Sequence, residues 1–82
     1  MSARGSVRYE LATAIVRMAG RHGEAEREGA YAFDRYLEHR GNPEMAAAHL
    51  AKSERFGRAA RRQLRAVQRL ADALRDLEVS GC

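Results

Sequence analysis

One short run, Arg40-Gly41-Asn42-Pro43-Glu44, constrains the fold more than any other feature of the sequence. Gly41 fits the left-handed residue that commonly ends a helix, because glycine has no Cβ to clash in that conformation. Asn42 is a good N-cap, Pro43 suits the first helical position, and Glu44 complements the positive end of the helix dipole. The run therefore predicts the end of one helix and the start of the next.

Apolar residues recur at helical spacing on both sides of this turn, and each set forms one stripe at 100° per residue. The phase of the first stripe continues through Gly20 and Gly23. The sequence therefore predicts an all-α antiparallel hairpin of two long helices, at about 7–40 and 43–79. The larger apolar residues of the stripes are expected to be buried: Leu11, Ile15, Phe33, Phe56, Leu64, Val67 and Leu74.

Two alternatives concern how this thin hairpin completes its core. Two helices cover only one side of each other, and Tyr9, Val16 and Tyr31 project off the stripes. A homodimer that forms a four-helix bundle would supply the missing core. A break at Gly20–Gly23 would instead give a monomeric three-helix bundle. In both cases residues 1–82 form a single helical domain, with loose termini at 1–5 and 80–82.

The composition excludes several classes of protein. The single cysteine, Cys82, excludes an internal disulfide framework and any multi-cysteine metal site. The longest uncharged apolar stretches, 11–16 and 45–51, are far shorter than the roughly 20 residues of a membrane span. The charges around 7–16 make a poor secretory signal. We therefore expect a soluble, cytoplasmic, basic domain that does not bind membranes.

Arginines on the second predicted helix form the most distinctive pattern. Steps of 3, 4, 3 and 4 residues place five of them within about 80° of arc, opposite the apolar stripe. Residues 52–69 carry seven cations and one anion, whereas residues 1–42 are nearly balanced. Guanidinium groups bind carboxylates and phosphates through paired hydrogen bonds. We call this set the arginine row and predict that it contacts a partner: Arg55, Arg58, Arg62, Arg65 and Arg69.

The partner of the arginine row is either an acidic protein surface or a nucleic-acid backbone. The long arms do not fit the short, steeply crossing helices of helix-turn-helix domains, and no zinc spacing or basic-zipper pattern is present. Nucleic-acid binding would therefore be sequence-tolerant contact with phosphates. The simplest competing interpretation is a solvated face, partly neutralised by Glu24, Glu28 and Glu38 on the first helix.

Metal binding and catalysis have weaker support. Met18/His22 and Met45/His49 are i,i+4 pairs on the stripes, and His22 is also spaced to share a metal with Glu26. The hairpin separates the two histidines by roughly 20 Å, and the Glu-x-x-His pairs of di-iron bundles are absent. No phosphate loop or nucleophile motif is present, and a thin bundle is not expected to hold a substrate pocket.

These observations together predict a non-enzymatic helical binding or regulatory module of the adaptor or inhibitor type. We expect no cofactor and no small-molecule substrate. A nucleic-acid backbone binder is the alternative, and a metal-binding four-helix bundle is a more distant one.

Overall fold

The chain folds into two long helices that lie antiparallel. The computed structural model describes residues 3–80, with side chains from residue 5 onward. Helix α1 spans Ala3–Glu38 and helix α2 spans Pro43–Ser80. The predicted hairpin is confirmed, and α1 continues through Gly20 and Gly23 without a break. The three-helix alternative is therefore wrong.

The helix ends differ from the prediction by a few residues. The first helix already includes residues 3–5 and the second includes Ser80, all of which were assigned to loose termini. Residues 1–2 and 81–82 lie outside the described part of the chain, so the expectations about the remaining termini and Cys82 are not addressed. Within residues 3–80, neither helix is long and apolar enough to cross a membrane.

The turn between the helices is held by short-range hydrogen bonds. The backbone N–H of Asn42 donates to the carbonyl oxygen of His39 at 2.9 Å. The side-chain oxygen of Asn42 then accepts from the N–H of Met45 at 3.3 Å, which confirms Asn42 as the N-cap of α2. The left-handed role predicted for Gly41 is wrong, because no residue in the described range has a positive φ. The first helix ends earlier, at Glu38, and the turn closes without a left-handed residue.

Small residues form the seam, which we define as the strip where α1 and α2 contact each other. The buried apolar residues among those described are four alanines, Ala25, Ala32, Ala46 and Ala60. Gly29 also lies close to α2: a Cβ added there would be 3.4 Å from the Cβ of Phe56. Small side chains let two helix backbones approach closely, so the seam is narrow.

The prediction that seven larger apolar residues are buried is therefore wrong. Leu11, Ile15, Phe56, Val67 and Leu74 are only partly covered. Phe33 and Leu64 are exposed, at 44% and 42% of their surface. Their helical phase was predicted correctly, but one neighbouring helix covers only a narrow strip of each stripe.

The hairpin is a long, thin rod. Its dimensions are 61 × 17 × 12 Å, and its radius of gyration is 18.3 Å. A compact domain of this length would have a radius of gyration of about 12 Å. Most side chains consequently lie at the surface, including the off-stripe residues Tyr9, Val16 and Tyr31, which are 60–73% exposed as predicted.

Candidate binding surface

The arginine row lies on the outer face of α2. Ala46 and Ala60 mark the buried side of this helix, and the five arginines project from the opposite side. All five are exposed: Arg55, Arg58, Arg62, Arg65 and Arg69. At 1.5 Å per residue, the row extends about 21 Å along a straight helix. The structure therefore presents the five guanidinium groups together on one accessible face.

No carboxylate neutralises this row within the part of the chain whose side chains are described. The ion pairs in that part join other residues: Arg8–Glu78, His22–Glu26, Arg35–Glu38 and Arg75–Asp72. Glu38 thus pairs with Arg35 on its own helix, at 3.3 Å, rather than with the row. Glu24 and Glu28 form no ion pair with the row either. The neutralisation across the hairpin expected under the competing interpretation is not observed.

The charge around the row is locally concentrated. Glu54 is the only anion between residues 52 and 69, and it forms no ion pair with Arg58 one turn later. Beyond the row, Asp72 is engaged with Arg75 at 3.3 Å. Like charges at i,i+4 spacing repel by a few tenths of a kcal/mol each, so the free row is slightly unfavourable for the isolated helix. A ligand with several negative charges would relieve this repulsion.

His22 forms a hydrogen bond that links the two helices. Its Nδ1–H donates to the carbonyl oxygen of Ala60 at 2.9 Å, which crosses the seam. Its Nε2 lies 3.1 Å from a carboxylate oxygen of Glu26. The proximity of His22 to Glu26 was predicted from their i,i+4 spacing. Among the described residues, no three His, Cys, Asp or Glu side chains converge on a common point.

A second histidine contact, near the turn, was not predicted. The rings of His39 and His49 stack with their centroids 5.3 Å apart and their planes 20° from parallel. The Nε2 atom of His39 is buried and has no hydrogen-bond partner in the described structure. The sequence pattern pairs His49 with Met45 at i,i+4 spacing, and Met45 is 42% exposed. The pattern gives no sign of His39, because this residue falls in the last turn before the predicted end of the first helix.

An open groove runs along one side of the seam. Its volume is about 520 Å³, and it is a wide depression in the surface rather than a closed pocket. The residues that line it are Ala25, Glu26, Gly29, Ala30, Phe33, Ser53, Gly57 and Ala60. The hydroxyl of Ser53 donates to the carbonyl oxygen of Gly29 at 3.0 Å, so it serves as a second link across the seam.

Comparison of the chain with protein-family models, with curated proteins and with solved structures finds no match.

Proposed function

We propose that this chain is a non-enzymatic binding module, of the adaptor or inhibitor type, that engages an acidic protein surface through the arginine row. The observation that carries the proposal is that five guanidinium groups are exposed in one row and have no carboxylate partner among the described residues. Each can form a bidentate hydrogen-bonded pair with a carboxylate. The cytoplasm is the proposed compartment; a chain with one cysteine cannot form an internal disulfide and so needs no oxidising compartment to fold.

Two features favour a protein partner over a nucleic acid. The basic stretch is short, about 21 Å, and the charged residues that follow it on α2 include Asp72 and Asp76. Phe56, the only Phe, Tyr or Trp of α2, packs toward Gly29 at the seam. Bases therefore find no aromatic platform beside the arginine row. Backbone contact with a duplex is the alternative, and the experiment below separates the two.

The test uses two variants with the same net charge. The first reverses Arg58, Arg62 and Arg65 to Glu in the arginine row. The control reverses Arg17, Arg21 and Arg27 on α1, which are also exposed and form no ion pair among the described residues. Each reversal lowers the net charge by two, so both variants change from +4 to −2. Both should keep the wild-type helicity, because exposed surface changes cost little stability.

Binding is measured by fluorescence anisotropy with a labelled polyglutamate peptide and with a short DNA duplex, across a range of salt concentrations. We expect the row variant to lose at least about tenfold in affinity for polyglutamate relative to the α1 control. Tighter binding to the duplex, with a salt slope of about −0.9 per phosphate contacted, would favour the nucleic-acid alternative. Equal losses in both variants would show that only net charge matters and would refute the row as a site.

We also propose that the module is a homodimer. The accessible surface of the chain is 6143 Å². A globular monomer of 9.2 kDa exposes about 4,900 Å², so the hairpin has an excess of about 1,200 Å². The exposed large apolar residues contribute to this excess. Association of two copies would cover such surface, and the expected mass in solution is about 18 kDa.

A further inference from the structure

The two broad sides of the hairpin differ in the chemistry of their grooves. On one side, the 520 Å³ groove has a single charged residue, Glu26, among its eight lining residues. On the other side, the groove encloses about 300 Å³ and three of its seven lining residues are charged: Arg21, Glu24 and Glu28. We call the first side the groove face. It is the side on which the hairpin exposes a mainly apolar concave surface.

The groove face carries both a depression and side chains that project beside it. The depression is lined by small residues, including Gly29, Ala30 and Gly57. Phe33 also lines it and is 44% exposed. Leu37, one turn after Phe33, and Leu64, two turns after Gly57, continue the same side of their helices and are 44% and 42% exposed. A surface with both knobs and a hole can pair with itself around a two-fold axis, where each contact occurs twice.

The charges near the groove permit this pairing. Glu26 lies in the lining, and the guanidinium of Arg61 reaches back to 3.8 Å from the Cβ position of Gly57. The groove thus has one acidic and one basic residue at its edges. In a pair of copies, each groove face therefore contributes one negative and one positive charge to the contact. Two arginine rows facing each other would repel, whereas two groove faces carry no net repulsion.

We propose that the groove face is the surface through which two copies of this chain associate, with Phe33 of each copy packing against the groove of the other. This inference rests on the proposed homodimer and names its interface. The broad side measures 61 Å by 17 Å, so two copies that overlap along their whole length would each present roughly 1,000 Å² to the other. The total of roughly 2,000 Å² lies at the lower end of the range of obligate homodimers. The narrow edge, 12 Å wide, offers less area, and the arginine row remains outside the interface.

The main test is Ala30→Lys. Ala30 lines the groove but is exposed in the hairpin, so the change does not disturb the seam. The new lysine would follow Glu26 and precede Asp34 by one turn each, which favours the helix. Phe33→Lys removes the projecting side chain and is the second variant. The matched control is Ala48→Lys, an exposed alanine of α2 that also follows a glutamate, Glu44, by one turn.

Mass is measured by sedimentation equilibrium over a range of concentrations, and helicity by circular dichroism. We expect about 18 kDa for the wild type and Ala48→Lys. Ala30→Lys should remain helical and shift toward 9 kDa, with dimer dissociation constants raised at least tenfold. Phe33→Lys should behave in the same way, and Ala30→Lys decides the result if Phe33→Lys unfolds.

The possible failures point to different errors. If the wild type has a mass of 9 kDa at every concentration, the homodimer itself is wrong, and the groove face is not an interface between copies of this chain. If the wild type is a dimer and Ala30→Lys dimerises equally well, the dimer stands and the groove face is not its interface. Dissociation of Ala48→Lys to the same extent would also refute the assignment. None of these results affects the polyglutamate test of the arginine row.

Discussion

The close approach of the helices at Gly29 leads to a quantitative prediction. A Cβ at this position would lie 3.4 Å from Phe56 Cβ, 3.6 Å from the Ser53 carbonyl oxygen and 3.9 Å from the Gly57 nitrogen. These are ordinary contact distances, so alanine fits, but a larger side chain must continue toward the backbone of α2. Gly20 provides the matched control, because a Cβ there meets nothing within 4 Å.

The expected magnitudes follow from that geometry. Replacing either glycine by alanine should raise the free energy of unfolding by up to about 1 kcal/mol, since glycine is a poor helix former. Gly20→Leu should give a similar gain. Gly29→Leu should instead be less stable than Gly20→Leu by about 1–3 kcal/mol, because the added carbons overpack the seam.

The assay is thermal unfolding followed by circular dichroism at one fixed protein concentration. For a domain of this size, a difference of 1 kcal/mol shifts the Tm by about 4–8 °C. We therefore expect the Tm of Gly29→Leu to be at least about 4 °C below that of Gly20→Leu. Equal Tm values for the two leucine variants would mean that α1 and α2 do not approach closely at Gly29, and would refute the description of the seam.

Two further predictions concern the turn and the histidine link. Asn42→Ala should lower the free energy of unfolding by about 1 kcal/mol, because the N-cap of α2 is lost. Gly41→Ala should change the free energy of unfolding by less than about 0.5 kcal/mol, because Gly41 has no positive φ and there is open space around its Cβ position. A large loss in Gly41→Ala, measured by urea unfolding, would contradict the turn geometry. His22→Ala should lower the free energy of unfolding by about 1 kcal/mol or more, because the hydrogen bond to Ala60 is removed. Glu26→Gln changes an exposed carboxylate and should lower the free energy of unfolding by less than about 0.5 kcal/mol. Equal losses in these two variants in the same assay would show that the bond across the seam is not the stabilising contact.

The turn and the helical phase were accessible from the sequence because both depend on local chemistry. Asn42 and Pro43 act within a few residues of their own positions, and an apolar stripe records which side of a helix faces its neighbour. The outward position of the arginine row followed from the same periodicity. These features require no knowledge of how close the two helices lie.

Burial and contacts across the seam could not be predicted in the same way. The apolar stripes show that Phe33 and Leu64 lie on the side of their helices that faces the neighbour. The separation of the helices determines whether such side chains are buried. The alanines of the seam were uninformative individually, because alanine is common on every face of this chain. The His39–His49 stack depends on the register of the two helices beside the turn, which local patterns do not specify. The identity of the partner likewise depends on a surface that belongs to another molecule.

The contacts across the seam are ordered along the chain in a way that bears on folding. The His39–His49 stack joins residues beside the turn, the Ser53–Gly29 bond spans 24 residues, and the His22–Ala60 bond spans 38. Arg8 and Glu78 pair at 3.5 Å near the opposite end. Each contact shortens the loop that the next one must close, so its entropic cost is reduced. We therefore expect the contacts between the helices to form first beside the turn and then successively away from it. The end of the hairpin where Arg8 pairs with Glu78 should be the first part to unfold.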